Sequence, residues 1–181
     1  MTGRRVARSL LAGGLLLTLF SAGCGVRPSE VITGRPAMSG PSVGVELYLV
    51  SRGQLTLVVR PANRVPSPEE TLGMLAAGPD EFERVAGLTS EVPAALAPMG
   101  LAVRATPAAG GSGFTVMATP DGSGLTVTTV AAVRPLSALA ADQIICTVAG
   151  AVARTGQGDS FAPVTIVGPD GARPARSCPI G

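Results

Sequence analysis

VGVELYLVSRGQLTLVVRP, residues 43–61, carries the clearest structural signal in the chain. Val43, Val45, Leu47 and Leu49 alternate with Gly44, Glu46 and Tyr48, the period of two that places one set of side chains on one face of a strand. Ser51-Arg52-Gly53 then supplies a turn. Leu55, Leu57 and Val59 resume the alternation as far as Arg60, so the stretch predicts an antiparallel hairpin that ends at Pro61.

Downstream the period changes. In Ser67-Pro68-Glu69-Glu70, Ser67 caps a helix, Pro68 suits its first position and Glu70 reaches back to the cap's own N–H. Leu72, Leu75 and Ala76 form the buried stripe of that helix, and Gly78-Pro79 stops it. Residues 80–86 predict a second short helical turn, with Asp80 and Glu83 as its capping pair and Phe82 and Val85 facing inward, before Gly87 breaks it. Strands are expected over 101–104, 114–119 and 125–131, the last two joined by Pro120-Asp121-Gly122, with a flexible loop over 108–113. Pro135 opens the longest helical pattern, which places Leu136, Leu139, Ala140, Ile144, Thr147, Val148 and Ala151 on adjoining faces and runs to about Val152. A last strand over 164–167 and the turn Pro169-Asp170-Gly171 lead into the tail. This order predicts an α+β fold in a single domain, residues 43–181: one mainly antiparallel sheet with two main helices packed on it.

What precedes the hairpin speaks of location. Arg4, Arg5 and Arg8 stand before an apolar run over residues 9–20, the proportions of a signal peptide and too short for a bilayer span. Ser21, Ala22 and Gly23, placed before Cys24, resemble the lipobox of bacterial lipoproteins. That resemblance implies cleavage after residue 23 and a diacylglyceryl group on the Cys24 sulfur, the alternative being an unlipidated secreted protein. Residues 24–42, rich in Pro, Gly and Ser, then read as a flexible tether. Two or three acyl chains would hold the protein on the extracytoplasmic face of the cell membrane, since each buried methylene contributes ~0.8 kcal/mol.

Removing residues 1–23 from the 181 leaves 158, ample for one core. It also removes three of the fourteen arginines against twelve retained acids, so the net charge becomes −1 and no basic surface for nucleic acid is expected. The remaining aromatics, Tyr48, Phe82, Phe114 and Phe161, are too few for a base-stacking platform. With Cys24 committed to lipid, Cys146 and Cys178 are left, in an oxidising compartment most simply a disulfide; a buried free Cys146 and a stray Cys178 are the alternative.

The chain has no His and no Lys, which excludes a Ser-His-Asp triad, a Cys-His dyad, an HExxH metal site and a Schiff-base lysine. Glu69-Glu70 and Glu81/Glu83 are carboxylate pairs of the kind glycosidases use, but both sit where helix capping already accounts for acids. Gly110-Gly111-Ser112-Gly113 lacks the lysine of a phosphate loop, and Asp121-Gly122 and Asp170-Gly171 are turn chemistry without further calcium ligands. No catalytic, cofactor-binding or metal-ligating residue is assigned.

LYLVSRGQLTLVVR, LGMLAAGP, ERVAGLTSEVP and LSALAADQIICTV, in this order, resemble the GerMN-type domain of sporulation proteins and envelope lipoproteins of Gram-positive bacteria, over about residues 43–170. The resemblance implies an extracytoplasmic α+β module that assembles through protein contacts, with no cofactor and no catalytic residue to carry over. The expectation is a non-enzymatic, membrane-anchored lipoprotein that presents an interaction domain to an envelope protein, in envelope signalling or sporulation-type assembly. A small-ligand-binding lipoprotein and a cell-wall hydrolase are the rival expectations.

Overall fold

Arg52 and Gly53 both take positive φ, +51° and +76°, the two-residue mirror-image turn whose twist suits a hairpin. It joins β1 (Val43–Ser51) to β2 (Gln54–Ala62) in a register running from Ser51↔Gln54 to Val43↔Ala62. The computed structural model describes residues 43–96 and 113–179. The signal peptide over 1–23, the Cys24 lipid site, the tether over 24–42, the strand expected over 101–104 and all but Gly113 of the expected loop lie outside the described residues.

The hairpin forms as expected, with one correction. Pro61 does not end it but pairs with Gly44, and β2 runs on to Ala62. Counted outward from a two-residue turn, Pro61 occupies a non-hydrogen-bonded position, so its nitrogen faces away from β1 and its missing N–H breaks no ladder bond. Val45, Leu47 and Leu49, on the opposite face, are fully buried.

Helix α1 (Pro68–Ala76) starts with the expected capping box of Ser67 and Glu70, and buries Leu72, Leu75 and Ala76. Gly78, at φ +79°, follows its end. Helix α2 (Glu81–Val85) also carries its expected capping pair, Asp80 and Glu83. Its apolar residues, however, do not face inward: Phe82 is 48 % and Val85 85 % exposed, while Glu83 is buried. The cause is Arg60 of β2, which draws the Glu83 carboxylate in. With residue 83 inward, residues 82 and 85 stand about 100° and 160° around the helix from it.

The remaining strands form a second sheet. Its order is β3 (Phe114–Ala118), β4 (Leu125–Thr129), β5 (Val164–Gly168) and β6 (Gly171–Ala172). β3–β4 and β5–β6 are antiparallel, whereas β4–β5 is parallel. A parallel pair needs a long crossover, and α3 (Ala138–Arg154) provides it. This helix begins three residues beyond Pro135 because the Ser137 hydroxyl accepts the Ala140 N–H at 2.9 Å and caps it there. The architecture is therefore α+β and a single domain, with its strands divided between a two-stranded and a four-stranded sheet. One core cluster serves both, including Leu47 of the hairpin, Leu72 of α1, Val127 and Ile166 of the second sheet, and Ile144 and Val148 of α3.

Among the described residues, the hairpin's inner edge is met by two side chains of α3 and one backbone bridge. Tyr48 and Val50 point their backbone groups away from β2. The Val50 N–H and C=O exchange bonds of 2.8 Å with Thr89, in the segment GLTSEVP. Thr147 Oγ1 accepts the Tyr48 N–H at 3.1 Å, and Gln143 Nε2 donates to the Tyr48 carbonyl at 2.8 Å. Gln143 Oε1 also accepts the Glu91 N–H at 2.9 Å, and both Gln143 and Thr147 are fully buried. Gln143→Leu should therefore destabilise the protein by about 1–3 kcal/mol, because two partly buried backbone groups lose their partner, and Thr147→Val by about 1–2 kcal/mol. Urea denaturation would measure both, and a Gln143→Leu midpoint equal to the wild type's would show that the seam is dispensable.

Candidate functional site

Cys146 lies on the buried side of α3, 2 % exposed, and is bonded to Cys178 with S–S 2.00 Å and Cα–Cα 4.8 Å. The expected pairing is thus present. It closes a loop spanning 32 positions and is one of several ties on the tail. Arg176 bridges Val164 through backbone bonds of 2.8 and 3.1 Å and places its guanidinium 3.2 Å from Asp142. Arg173 donates to the carbonyls of Val133 and Leu136 at 3.2 and 2.9 Å. In the turn before the tail, Asp170 accepts the N–H groups of Val133 and Arg134 at 2.8 and 2.9 Å, and these bonds hold its carboxyl below its usual range.

Three of the four carboxylates in the two pairs hold backbone N–H groups. Glu69 accepts the Val116 N–H of β3 at 3.2 Å. Glu70 caps Ser67 N–H at 2.8 Å and meets Arg64 at 2.8 Å, and these hydrogen bonds, the Arg64 one foremost, lower its pKa to about 2. Burial pushes the Glu83 carboxyl up, but bonds from Arg60 (2.9 and 2.6 Å) and from the Asp80 N–H (2.8 Å) outweigh it and leave the pKa lowered. Arg60 donates further to the carbonyl of Gly78 at 2.8 Å, so the pair clamps β2 to the α1–α2 junction. A lowered pKa is opposite to what a general acid needs at neutral pH.

Two adjoining depressions, of about 280 and 300 Å³, share Ala118, Leu125 and Gln157. The first reaches to Ser67 and Glu69 at the start of α1; the second reaches to Asp159 and Phe161 in the α3–β5 connection. Gly124 allows the walls to close up, since a Cβ there would stand 2.6 Å from the Pro163 carbonyl oxygen. The lining carries acids and amides but no arginine, so it suits a neutral or cationic ligand better than an anion. None of this was expected from sequence. The lining comes from three connections far apart in the chain, and its only local sign is Phe161, one of few aromatics and 58 % exposed.

Among the described residues no three Cys, Asp or Glu side chains cluster as a metal site, and no helix is long and apolar enough to cross a membrane. No protein family, curated protein or solved structure matches the chain.

Glu83→Ala should cost about 3 kcal/mol, because it leaves the Arg60 guanidinium buried without its counter-charge. Since the Glu70 and Glu83 carboxyls are lowered in the folded chain, their contribution is complete above the ordinary value of 4.5 and is lost as pH falls through the folded values, toward about 2 for Glu70. Thermal melts should therefore stay level above that value and decline below it, with a shallower decline in Glu83→Gln. Removing the bridge should cost roughly 3–4 kcal/mol on the chain-entropy account. Cys146→Ser, Cys178→Ser and the double variant should melt together, whereas additive losses would mean that the two sulfurs act independently.

Proposed function

We propose that the chain is a non-enzymatic envelope lipoprotein, anchored to the extracytoplasmic face of the cell membrane through lipid on Cys24, whose GerMN-like domain is an interaction module. The observation that carries this is the Cys146–Cys178 bridge. A disulfide of this kind belongs to proteins that mature outside the reducing cytoplasm, which is where the leader and the Ser-Ala-Gly-Cys sequence would deliver the chain. The fixed roles of Glu69, Glu70 and Glu83 in holding backbone favour a binding role over hydrolysis. An envelope protein is the partner class that fits such a location.

The paired depressions favour a second reading, a lipoprotein that binds a small neutral or cationic ligand. Their combined size lies within the range of small-molecule sites, though both are open. Thermal shifts induced by wall fragments or metabolites would distinguish it from a module that binds protein alone.

The anchor is tested directly by fractionation. Cys24→Ala should move the protein from the membrane to the soluble extracytoplasmic fraction, and intact-mass analysis of the wild type should find acyl chains on residue 24. A wild-type mature N-terminus at any other residue would overturn the proposal.

A further inference from the structure

β2 is a nine-residue edge strand: among the described residues nothing pairs with its outer side. The count that sends Pro61's nitrogen outward does the same for the N–H and C=O groups of Leu55, Leu57 and Val59. Those N–H groups have no acceptor among the described residues. On the same face, Leu57 is 48 % and Val59 57 % exposed, beside the half-buried Tyr48 and Leu55. Soluble proteins ordinarily blunt such an edge with lysine, an inward charge, a bulge or proline. β2 has two of these, the inward Arg60 and Pro61, but both lie at its far end, and from Gln54 to Val59 there is no charged residue and no proline.

The edge is complementary to itself. If two copies pair antiparallel about a twofold axis at Leu57, Leu57 meets its own counterpart and Leu55 meets Val59 of the second copy, in both directions. All three residues then stand in hydrogen-bonded positions, giving about six new backbone bonds. The next pair outward, Pro61 with Gly53, has no N–H from proline, so the ladder limits itself. The apolar stripe becomes Tyr48–Leu57–Leu57–Tyr48 across the axis. Charges flanking it do not oppose this approach, because Arg60 is bound to Glu83 and Glu46 lies 3.2 Å from Arg154.

We propose that β2 is the interface of a twofold dimer, in which the hairpins of two copies join edge to edge into one four-stranded antiparallel sheet with Leu57 opposite Leu57. This gives the interaction-module reading a definite partner, a second copy of the same chain, and rests on it to that extent. The contact is small. A strand edge about 30 Å long and about 10 Å broad covers roughly 300 Å² per copy, below the ~800 Å² of a stable complex. The dimer is therefore weak in dilute solution and gains from confinement on a surface, where effective concentration is high.

The test is cysteine cross-linking in the full chain, expressed with its own leader and treated with a mild oxidant. Opposed residues of a hydrogen-bonded pair lie ~5.5 Å apart at Cα, within disulfide range. Leu57→Cys should give a reducible species of twice the chain's mass, several-fold more abundant than with Leu55→Cys or Val59→Cys alone. Mixing Leu55→Cys with Val59→Cys copies should restore the link. Adding Val59→Lys to Leu57→Cys should abolish it. No link at residue 57, equal links at all three positions, survival of the link with Val59→Lys, or a link to a protein of another mass would each overturn the proposal. Soluble and membrane fractions are read separately, so that loss of anchoring, which moves the chain itself to the soluble fraction, is told apart from loss of pairing, which removes the link while the chain stays in the membrane fraction.

Discussion

A strand paired on one side leaves every second N–H and C=O of its other edge without a strand partner, and burying such groups unsatisfied costs about 1–3 kcal/mol each. β1 meets this problem at the centre of the domain, where Val45, Leu47 and Leu49 are fully buried. The domain answers with two side chains of α3 and one bridge to Thr89. Because Gln143 holds Tyr48 with one atom and Glu91 with another, a single amide fixes three segments at once: the hairpin, the GLTSEVP segment and the crossover helix. The same helix connects β4 to β5, so the seam also ties the hairpin to the second sheet. An amide in this position accepts and donates at defined points, which an apolar residue of equal volume could not do. To the packing of α3 on the hairpin the seam adds donors and acceptors at fixed positions.

Charge performs the same service on the other strand. Arg60 lies on β2, Glu83 on α2, and their side chains are 12 % and 6 % exposed. Such pairs gain little net stability over apolar residues of similar size but are costly to half-remove, so they act chiefly as positional constraints. Here the constraint also decides the orientation of α2, since the carboxylate that caps the helix through Asp80 is the one Arg60 draws inward. The C-terminal tail is fixed by a third kind of interaction, the covalent bridge, reinforced by Arg173 and Arg176. Hydrogen bonds, an ion pair and a disulfide thus each secure one segment that hydrophobic burial by itself would leave poorly placed.

Features written in adjacent residues were legible beforehand. Alternation in the hairpin, the Ser67/Glu70 and Asp80/Glu83 caps, the turn glycines and the even cysteine pair all depend on chemistry within a few positions or on simple counting. The α+β class followed from their order. What was not legible depends on distant partners. Phe82 and Val85 turn outward because of Arg60, which is 23 positions from Glu83 in sequence. Gln143 sits in an otherwise apolar helical run, and its role becomes apparent only when Tyr48, 95 positions away, is placed beside it. The division into two sheets has the same origin, because among the described residues the edge of β1 is met by side chains of α3 and the bridge to Thr89. The groove could not be foreseen either, being assembled from three separate connections.

These constraints bear on how the domain could engage anything at all. An isolated two-stranded hairpin is marginal in water and would lose much conformational freedom on binding. In this domain the freedom is removed in advance. β1 is held by the seam and β2 by the Arg60 clamp, both acting on sides of the hairpin that leave the outer edge of β2 uncovered by any described residue. Pre-organisation of this kind lowers the entropic cost of association without adding a contact, so even a small strand edge can be used. It also separates tasks within the molecule: buried polar and charged groups are spent on rigidity, and the exposed part of the hairpin is left almost wholly to backbone groups and aliphatic side chains. A surface built that way offers shape and strand register more than charge, because Leu57 and Val59 are its exposed side chains along the middle of β2.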